Sequence, residues 1–239
     1  MIRSLVLVAI VLLAADKPQE ITFEDSKGGT LPKGWSAAKT GEGPGSIWKV
    51  VEDDSSPHGK QVLAQTSSEG PNPLFNLCVL EEPQLVDVDL EVSFKAVSGK
   101  TDQGGGPVWR YQDAKNYYIA RMNPLENNYR VYKVIDGKRT QLGTAAVEAP
   151  TGKWHKLRVV QRGEHIQCYL NDKLYLDVKD DTFKGKGRIG LWTKADATSS
   201  FDDFTVRPGG ADAIPAAQPA DKRPSEKGKT DKDDDDDKK

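Results

Sequence analysis

From residue 86 the chain alternates Val86, Val88, Leu90, Val92 and Phe94 with Asp87, Asp89, Glu91, Ser93 and Lys95. A strict period of two puts one set of side chains on each face of an extended segment, and so predicts a strand with one buried and one wet face. Further runs rich in β-branched and aromatic residues lie at 47–52, 74–80, 108–111, 117–122, 129–135, 154–162, 165–170, 173–178, 188–192 and 201–206. Turn signals separate them: Asp136-Gly137, Arg162-Gly163-Glu164, Asn171-Asp172 and Gly185-Lys186-Gly187. The Asp-Gly pair between 129–135 and 140–142 predicts a type I′ hairpin. No stretch sustains a helical period with caps. Many short antiparallel strands at such regular spacing predict an all-β sandwich, jelly roll or barrel over residues 20–206.

The two ends read differently. Residues 1–15 carry Arg3, then an apolar run from Leu5 to Leu13, then Ala14-Ala15. This is the pattern of a Sec-type signal peptide, too short for a bilayer span of about 20 residues, so the chain is expected to be secreted or periplasmic. Residues 208–239 hold no aromatic residue and one branched aliphatic, Ile214, and end in Asp233 to Asp237 and two lysines. Such a segment cannot bury enough apolar surface to offset its ordering entropy, so 207–239 is expected to be a disordered charged tail. The run closing at Lys238 also resembles an enteropeptidase recognition sequence.

Composition narrows the function. Lysines plus arginines (34) nearly match aspartates plus glutamates (36), and the balance survives removal of both ends. Without a basic stripe there is no electrostatic footprint for nucleic acid. All 5 Trp, 7 Tyr and 6 Phe lie between Phe23 and Phe204, which confines the folding core to the middle segment. After export two cysteines remain, Cys78 and Cys168, and two readings stay open: one disulfide, or two separate buried thiols.

Several motifs carry candidate chemistry. Gly185-Lys186-Gly187-Arg188-Ile189-Gly190 has dinucleotide-fingerprint spacing, but a strand follows where a helix is required, so the glycines point to a tight turn and a close strand crossing. Asp87, Asp89 and Glu91 put three carboxylates on one strand face. Positions i and i+4 on a straight strand are roughly 13 Å apart, too far for a glycosidase pair, so a polar outer face is the competing reading. His58, His155 and His165 are scattered without metal-ligand spacing. The richest stretch runs through Trp109, Arg110, Tyr117, Arg121 and Tyr129. Tyr118, Ala120 and Met122 are expected to face the core, leaving Tyr117, Ile119 and Arg121 opposite. Aromatic faces stack on sugar C–H groups and guanidinium groups donate to hydroxyl oxygens, so these five residues are candidate sugar contacts.

Phe23-Glu24-Asp25, Gly34-Trp35, Trp109-Arg110-Tyr111-Gln112-Asp113, Asn116-Tyr117-Tyr118, Trp154-His155-Lys156-Leu157, Gly187-Arg188-Ile189-Gly190-Leu191-Trp192 and Phe201-Asp202-Asp203-Phe204 together resemble the concanavalin A-like lectin/glucanase superfamily of laminin-G-like jelly rolls. The nearest resemblance is to secreted bacterial 3-keto-disaccharide hydrolases, also labelled family 16 glycoside hydrolase-like. The resemblance implies a two-sheet antiparallel jelly roll that engages carbohydrate on a concave face or its rim. It aligns Asp87, Asp89 and Glu91 with a catalytic Glu-x-Asp-x-Glu strand, with aspartate in the nucleophile position. The 3-keto name implies proton abstraction beside a ketone, with Arg110 or Arg121 as the cation and no base identified. No cofactor is required, although relatives bind calcium, which implies a structural site shared by Glu24 or Asp25 and Asp202 or Asp203. The expected partner is an oligo- or polysaccharide, and the chain is expected to act as a monomer, either as a glycoside hydrolase, as a non-catalytic binding module or as a laminin-G-like protein-interaction domain.

Overall fold

A computed structural model describes residues 17–208. The leader at 1–15 and the tail beyond 208 lie outside the described residues. In chain order the strands are β1 (Gln19–Ile21), β2 (Trp35–Thr40), β3 (Trp48–Glu52), β4 (Gln61–Gln65), β5 (Phe75–Leu85), β6 (Val88–Ser98), β7 (Gly105–Asp113) and β8 (Asn116–Asn123). They continue with β9 (Asn128–Ile135), β10 (Lys138–Ala146), β11 (His155–Arg162), β12 (His165–Leu170), β13 (Lys173–Lys179), β14 (Gly187–Lys194) and β15 (Thr198–Pro208). Sheet A has the order β13-β12-β11-β6-β15-β4-β3, with β1 pairing β15. Sheet B has the order β10-β9-β8-β7-β14-β5-β2. The ladders are antiparallel, there is no helix among the described residues, and the fold is the expected two-sheet jelly-roll sandwich.

The main core lies between the sheets. Val88, Leu90, Val92 and Phe94 of β6 point into it and are fully buried, while Asp89 and Glu91 point outward, as the alternation requires. From sheet B come Tyr118, Ala120 and Met122. Each such large apolar side chain contributes roughly 1.5–3 kcal/mol on burial. Cys78 on β5 and Cys168 on β12 belong to opposite sheets and are both free and buried in this core. The two thiols are unbridged in this structure, and burial pushes both up.

Turn chemistry matches the strand joints. Asp136 and Gly137 have φ of 50° and 80°, the two positive values of a type I′ turn, and Ile135 pairs with Lys138 across it. Asn171 and Asp172, at 49° and 65°, do the same between β12 and β13. The glycines of 185–190 serve packing: a Cβ on Gly190 would sit 2.3 Å from the Cys78 carbonyl oxygen, and one on Gly187 2.4 Å from the Arg110 backbone.

Sheet B is strongly curled. A flat sheet with strands about 4.8 Å apart would hold β10 and β5, five positions apart, at roughly 24 Å. Instead Arg139 of β10 has its Cζ 5.4 Å from the ring centre of Phe75 on β5. At the same end Thr40 of β2 bonds the Tyr117 hydroxyl of β8 at 2.7 Å, and Gly137 donates to the Lys115 carbonyl. The face turned away from sheet A is therefore a hollow, pinched at the Thr40–Gly137 end.

Candidate functional site

A second apolar cluster fills the wall of this hollow: Phe75, Leu77, Val108, Tyr117, Ile119, Tyr132 and Trp192 are among its members. The strand period puts them there. On β8, Tyr117 and Ile119 face the hollow and Tyr118 and Ala120 the core; on β9, Tyr132 faces the hollow and Tyr129 and Val131 the core. Guanidinium groups lie on the rings. Arg139 sits 4.4 Å from the Tyr132 centroid, Arg121 5.8 Å from the same ring, and Arg188 5.1 Å from Tyr111.

At the end of the hollow opposite the pinch is an ionic cluster. Arg121 forks onto Glu126, with NH1 donating to Oε1 at 3.0 Å and NH2 to Oε2 at 2.7 Å, and NH2 also donates to Asn128 Oδ1 at 2.6 Å. Asn123 donates from one amide nitrogen to both Asp102 Oδ1 (3.1 Å) and Glu126 Oε1 (2.8 Å). Lys194 lies 3.7 Å from Asp102, and Arg130 3.5 Å from Glu126. These environments separate the two carboxyls. Burial works to raise Glu126, but the Arg121 fork, with Asn128 and Arg130, outweighs it and holds the group at about 2. Asp102 is raised, because burial outweighs the charges of Arg121 and Lys194. Arg121 itself is raised despite full burial, its guanidinium held charged by the surrounding acceptors.

Three buried donors on this face lack a partner: Arg121 Nε, Arg139 NH1 and Trp192 Nε1. The Trp192 indole lies close enough to the Tyr117 hydroxyl to influence it, yet makes no hydrogen bond of normal geometry. Arginine and the indole N–H can only donate, so the hollow offers unsatisfied donors and calls for acceptor oxygens.

The sequence-predicted residues divide. Tyr117 and Arg121 do share the hollow. Trp109 does not: it stacks on Tyr118 in the main core and donates to Gln161 Oε1 at 2.5 Å. Tyr129 is likewise a fully buried core residue. Neither can stack on a sugar. Arg110 is corrected as well. It sits at a β7 bulge with φ of 46°, and its guanidinium is spent on the carbonyls of Val86, Phe183 and Gly163. It clamps loops and is 2% exposed.

The carboxylate strand belongs to the other side of the molecule. Asp89 and Glu91 lie on the outer face of sheet A, where Arg158 forks onto Asp89 at 2.8 and 2.7 Å and Arg207 approaches both. Asp87 accepts from the Gly163 amide at 2.8 Å. Glu91 does line a cleft of about 280 Å³ there, with Glu20, His58, Asp203 and Arg207. Its polar groups face one another, His58 and Asp203 at 3.8 Å and Arg207 and Glu91 at 3.7 Å, and no Phe, Tyr or Trp lines it. The residues expected to hold calcium do not fit the ion. β1 and β15 do pair, but Glu24 Oε1 accepts the amides of Lys60 and Gln61, Asp25 is exposed, and Asp202 is held by Ser56 while Asp203 faces His58. Among the described residues no group of three or more His, Cys, Asp or Glu is placed to hold a metal.

Comparison with known proteins now adds to this geometry. Residues 21–207 match the model of the 3-keto-alpha-glucoside-1,2-lyase-like domain. The chain belongs to this family. A stretch of 95 residues, 39% of the chain, is 26% identical to the levanase of Bacillus subtilis (strain 168), and spans 14% of that protein's length. The carbohydrate binding module CBM66 from Bacillus subtilis superposes with a TM-score of 0.58 at 21% identity, covering 73% of this chain and 95% of the module. A native glycosidic hydrolase superposes at 0.56 with 14% identity, covering 81% and 96%. At these identities the two structures share the fold, and the family match bears out the resemblance carried by the sequence motifs.

In this lyase-like domain, sequence reasoning missed Asp102, Glu126, Asn128, Tyr132, Arg139 and Trp192. Tyr132 was within reach of the period-two rule, two residues from Val134 of the same wall, whereas Trp192 has no member of that cluster two residues away on its strand. Asp102 and Glu126 sit in connections, where no periodicity points a side chain anywhere.

Proposed function

We propose that the domain recognises carbohydrate in the hollow of sheet B and binds it without turnover. The observation that carries this reading is the donor-only set of Arg121 Nε, Arg139 NH1 and Trp192 Nε1 against the rings of Tyr132, Phe75 and Trp192. Phe75, Tyr132 and Trp192 are 3%, 3% and 0% exposed and Arg139 lies over the first two, so a sugar would stack its C–H faces on them and meet the donors with its oxygens once the Arg139 side chain has moved aside. Membership of a family named for a glucoside lyase, and a fold shared with a carbohydrate binding module, support a sugar as the ligand.

Family membership also favours a second reading, elimination from a 3-keto glucoside. That step removes a proton beside the ketone and expels the glycosidic oxygen, so it needs a base with a pKa near the working pH. The hollow does not supply one. Glu126 is held at about 2, and its two oxygens already accept four hydrogen bonds from Arg121, Asn123 and Asn128. Asp102 is raised, but its oxygens are taken up by the Gly104 amide, the Asn123 amide, Arg121 and Lys194.

The test is calorimetric titration with a panel of oligosaccharides, alongside product analysis on ordinary and 3-keto disaccharides. Saturable binding is expected, weakened about tenfold by Trp192→Phe, which removes one donor worth about 1.4 kcal/mol. Absence of binding across the panel would sink the reading, and release of a monosaccharide from the 3-keto substrate would replace it with the lyase.

A further inference from the structure

Phe75 and Tyr132 are almost sealed, although they lie on the face of sheet B turned away from sheet A. Two guanidinium groups lie on the Tyr132 ring, and they are held very differently. Arg121, 5.8 Å from the ring centre, is tied down by its fork onto Glu126 and its bond to Asn128. Arg139, 4.4 Å from the same centre and 5.4 Å from that of Phe75, is half-buried and has no hydrogen bond or ion pair among the described residues. Ring faces alone hold it. Against them stands its buried NH1, which has no acceptor in this position and gains water or a ligand oxygen by leaving it. Ring attraction and a donor left unpaired are effects of similar size, so the closed position is only shallowly preferred.

The backbone beneath Arg139 is fixed. Arg139 pairs with Val134 on β9, and the adjoining turn is fastened by the Asp136 amide to Asn116 Oδ1 at 3.1 Å and by the Gly137 amide to the Lys115 carbonyl at 2.9 Å. Its neighbours Lys138 and Thr140 on the edge strand β10 are exposed, so the long side chain has solvent to turn into. On the footing of the carbohydrate reading, we propose that Arg139 is the gate of the hollow: lying on Phe75 and Tyr132 it closes the empty site, and its side chain turns off both rings to admit the sugar while Arg121 stays in place. The gate opens before the sugar touches the rings, so it slows association, as a required conformational change does. No covalent step and no movement of strands is involved.

The test is hydroxyl-radical footprinting of the full chain, read by mass spectrometry, with the native residue and with Arg139→Gln, whose shorter side chain does not span both rings. Oxidation of Phe75 and Tyr132 is expected to rise at least about threefold as the local cover is lost. Phe94 and Tyr129, fully buried in the main core, should stay unchanged. Unchanged oxidation of Phe75 and Tyr132 overturns the gate, because the sheet itself then closes the hollow. Should Arg139→Gln loosen the whole fold, so that Phe94 and Tyr129 rise as well, Arg139→Lys is expected to expose Phe75 and Tyr132 alone. Failure of both variants to expose these two rings selectively overturns the gate. A second arm separates a gate from a mere contact. NMR line-shape titration with maltotetraose and with cellotetraose gives the association rate, expected to be at least about threefold higher in the variant. Faster dissociation with an unchanged association rate makes Arg139 a sugar contact only and overturns the gate. If neither sugar binds either form, the carbohydrate reading falls, and the footprint alone decides whether Arg139 closes the hollow.

Discussion

Asp202 shows what one residue can do to the pH response. It sits at the β15 bulge, fully buried, with Oδ2 accepting from Ser56 at 2.5 Å and Oδ1 unpartnered. Burial, the largest influence, and the charge of Asp203 push it up to about 6 against the bond from Ser56. A folded pKa above the ordinary 3.8 means that the neutral acid is the favoured form in the fold. Its contribution is therefore fully present below about pH 4 and is lost as pH rises through 6, on the order of 1–3 kcal/mol. Asp202→Asn should flatten that loss and raise stability at pH 7 and above, read by urea unfolding across pH; an unchanged profile contradicts it. Glu126 has the opposite sign. Held at about 2, it stabilises above about pH 4.5 and gives that up as pH falls toward 2. Glu126→Ala leaves Arg121 short of its principal acceptor, and about 2–3 kcal/mol of stability should go with it, less than for a fully buried pair because Glu126 is a third exposed. At this scale the sequence was partly legible. Alternation assigned Tyr117 and Arg121 correctly against Tyr118 and Met122. It failed at Arg110, because the bulge there puts Val108 and Tyr111 on the same face three residues apart. It failed at Tyr129, because nothing in β9 alone says which parity meets the core.

At the scale of elements, strand existence was readable wherever β-branched and aromatic residues dominate. β2, with Ser36, Ala37 and Ala38, escaped because small residues of low β-propensity are held in place there by pairing with β5. β1 and β4 escaped because they are only three and five residues long and are held by β15, with β3 also pairing β4. The glycine run at 185–190 gives a contrast that tests its reading as a packing device. Gly190→Ala would force a Cβ into the Cys78 carbonyl and should cost several kcal/mol or abolish folding, roughly the penalty of strain in a close-packed sheet. Gly185→Ala meets nothing within 4 Å and should be nearly neutral. Equal effects in thermal denaturation would refute the assignment. The Asp136-Gly137 turn, which closes the pinched end of the hollow, offers a milder probe. Gly137→Ala at φ of 80° should cost about 1 kcal/mol, or roughly 2–4 °C in Tm for a domain of this size.

For the whole molecule, the two faces of the sandwich carry different chemistry, and only topology decides which residue lands on which. The carboxylates at 87, 89 and 91 read as catalytic because of their spacing, yet β6 belongs to sheet A and sheet B makes the hollow. Strand order, curl and the reach of Arg139 across five strands depend on contacts distant in sequence, which is why the fold class was legible and the hollow was not. The absence of a disulfide is also a whole-molecule property. Unfolding midpoints should be the same with and without reductant, and both cysteines should alkylate on denaturation; a reductant-sensitive midpoint would place a bridge between Cys78 and Cys168.

The central claim, that sugar is received in the hollow of sheet B, is tested most directly by following indole N–H resonances in an NMR titration with a bound oligosaccharide. The Trp192 indole, unpartnered in the hollow, should shift and saturate with the calorimetric affinity, while the Trp109 indole, bonded to Gln161 in the core, should stay in place. Saturable binding that leaves Trp192 unmoved and shifts the amides around Glu91 and Asp203 instead would put the ligand on sheet A and contradict the account.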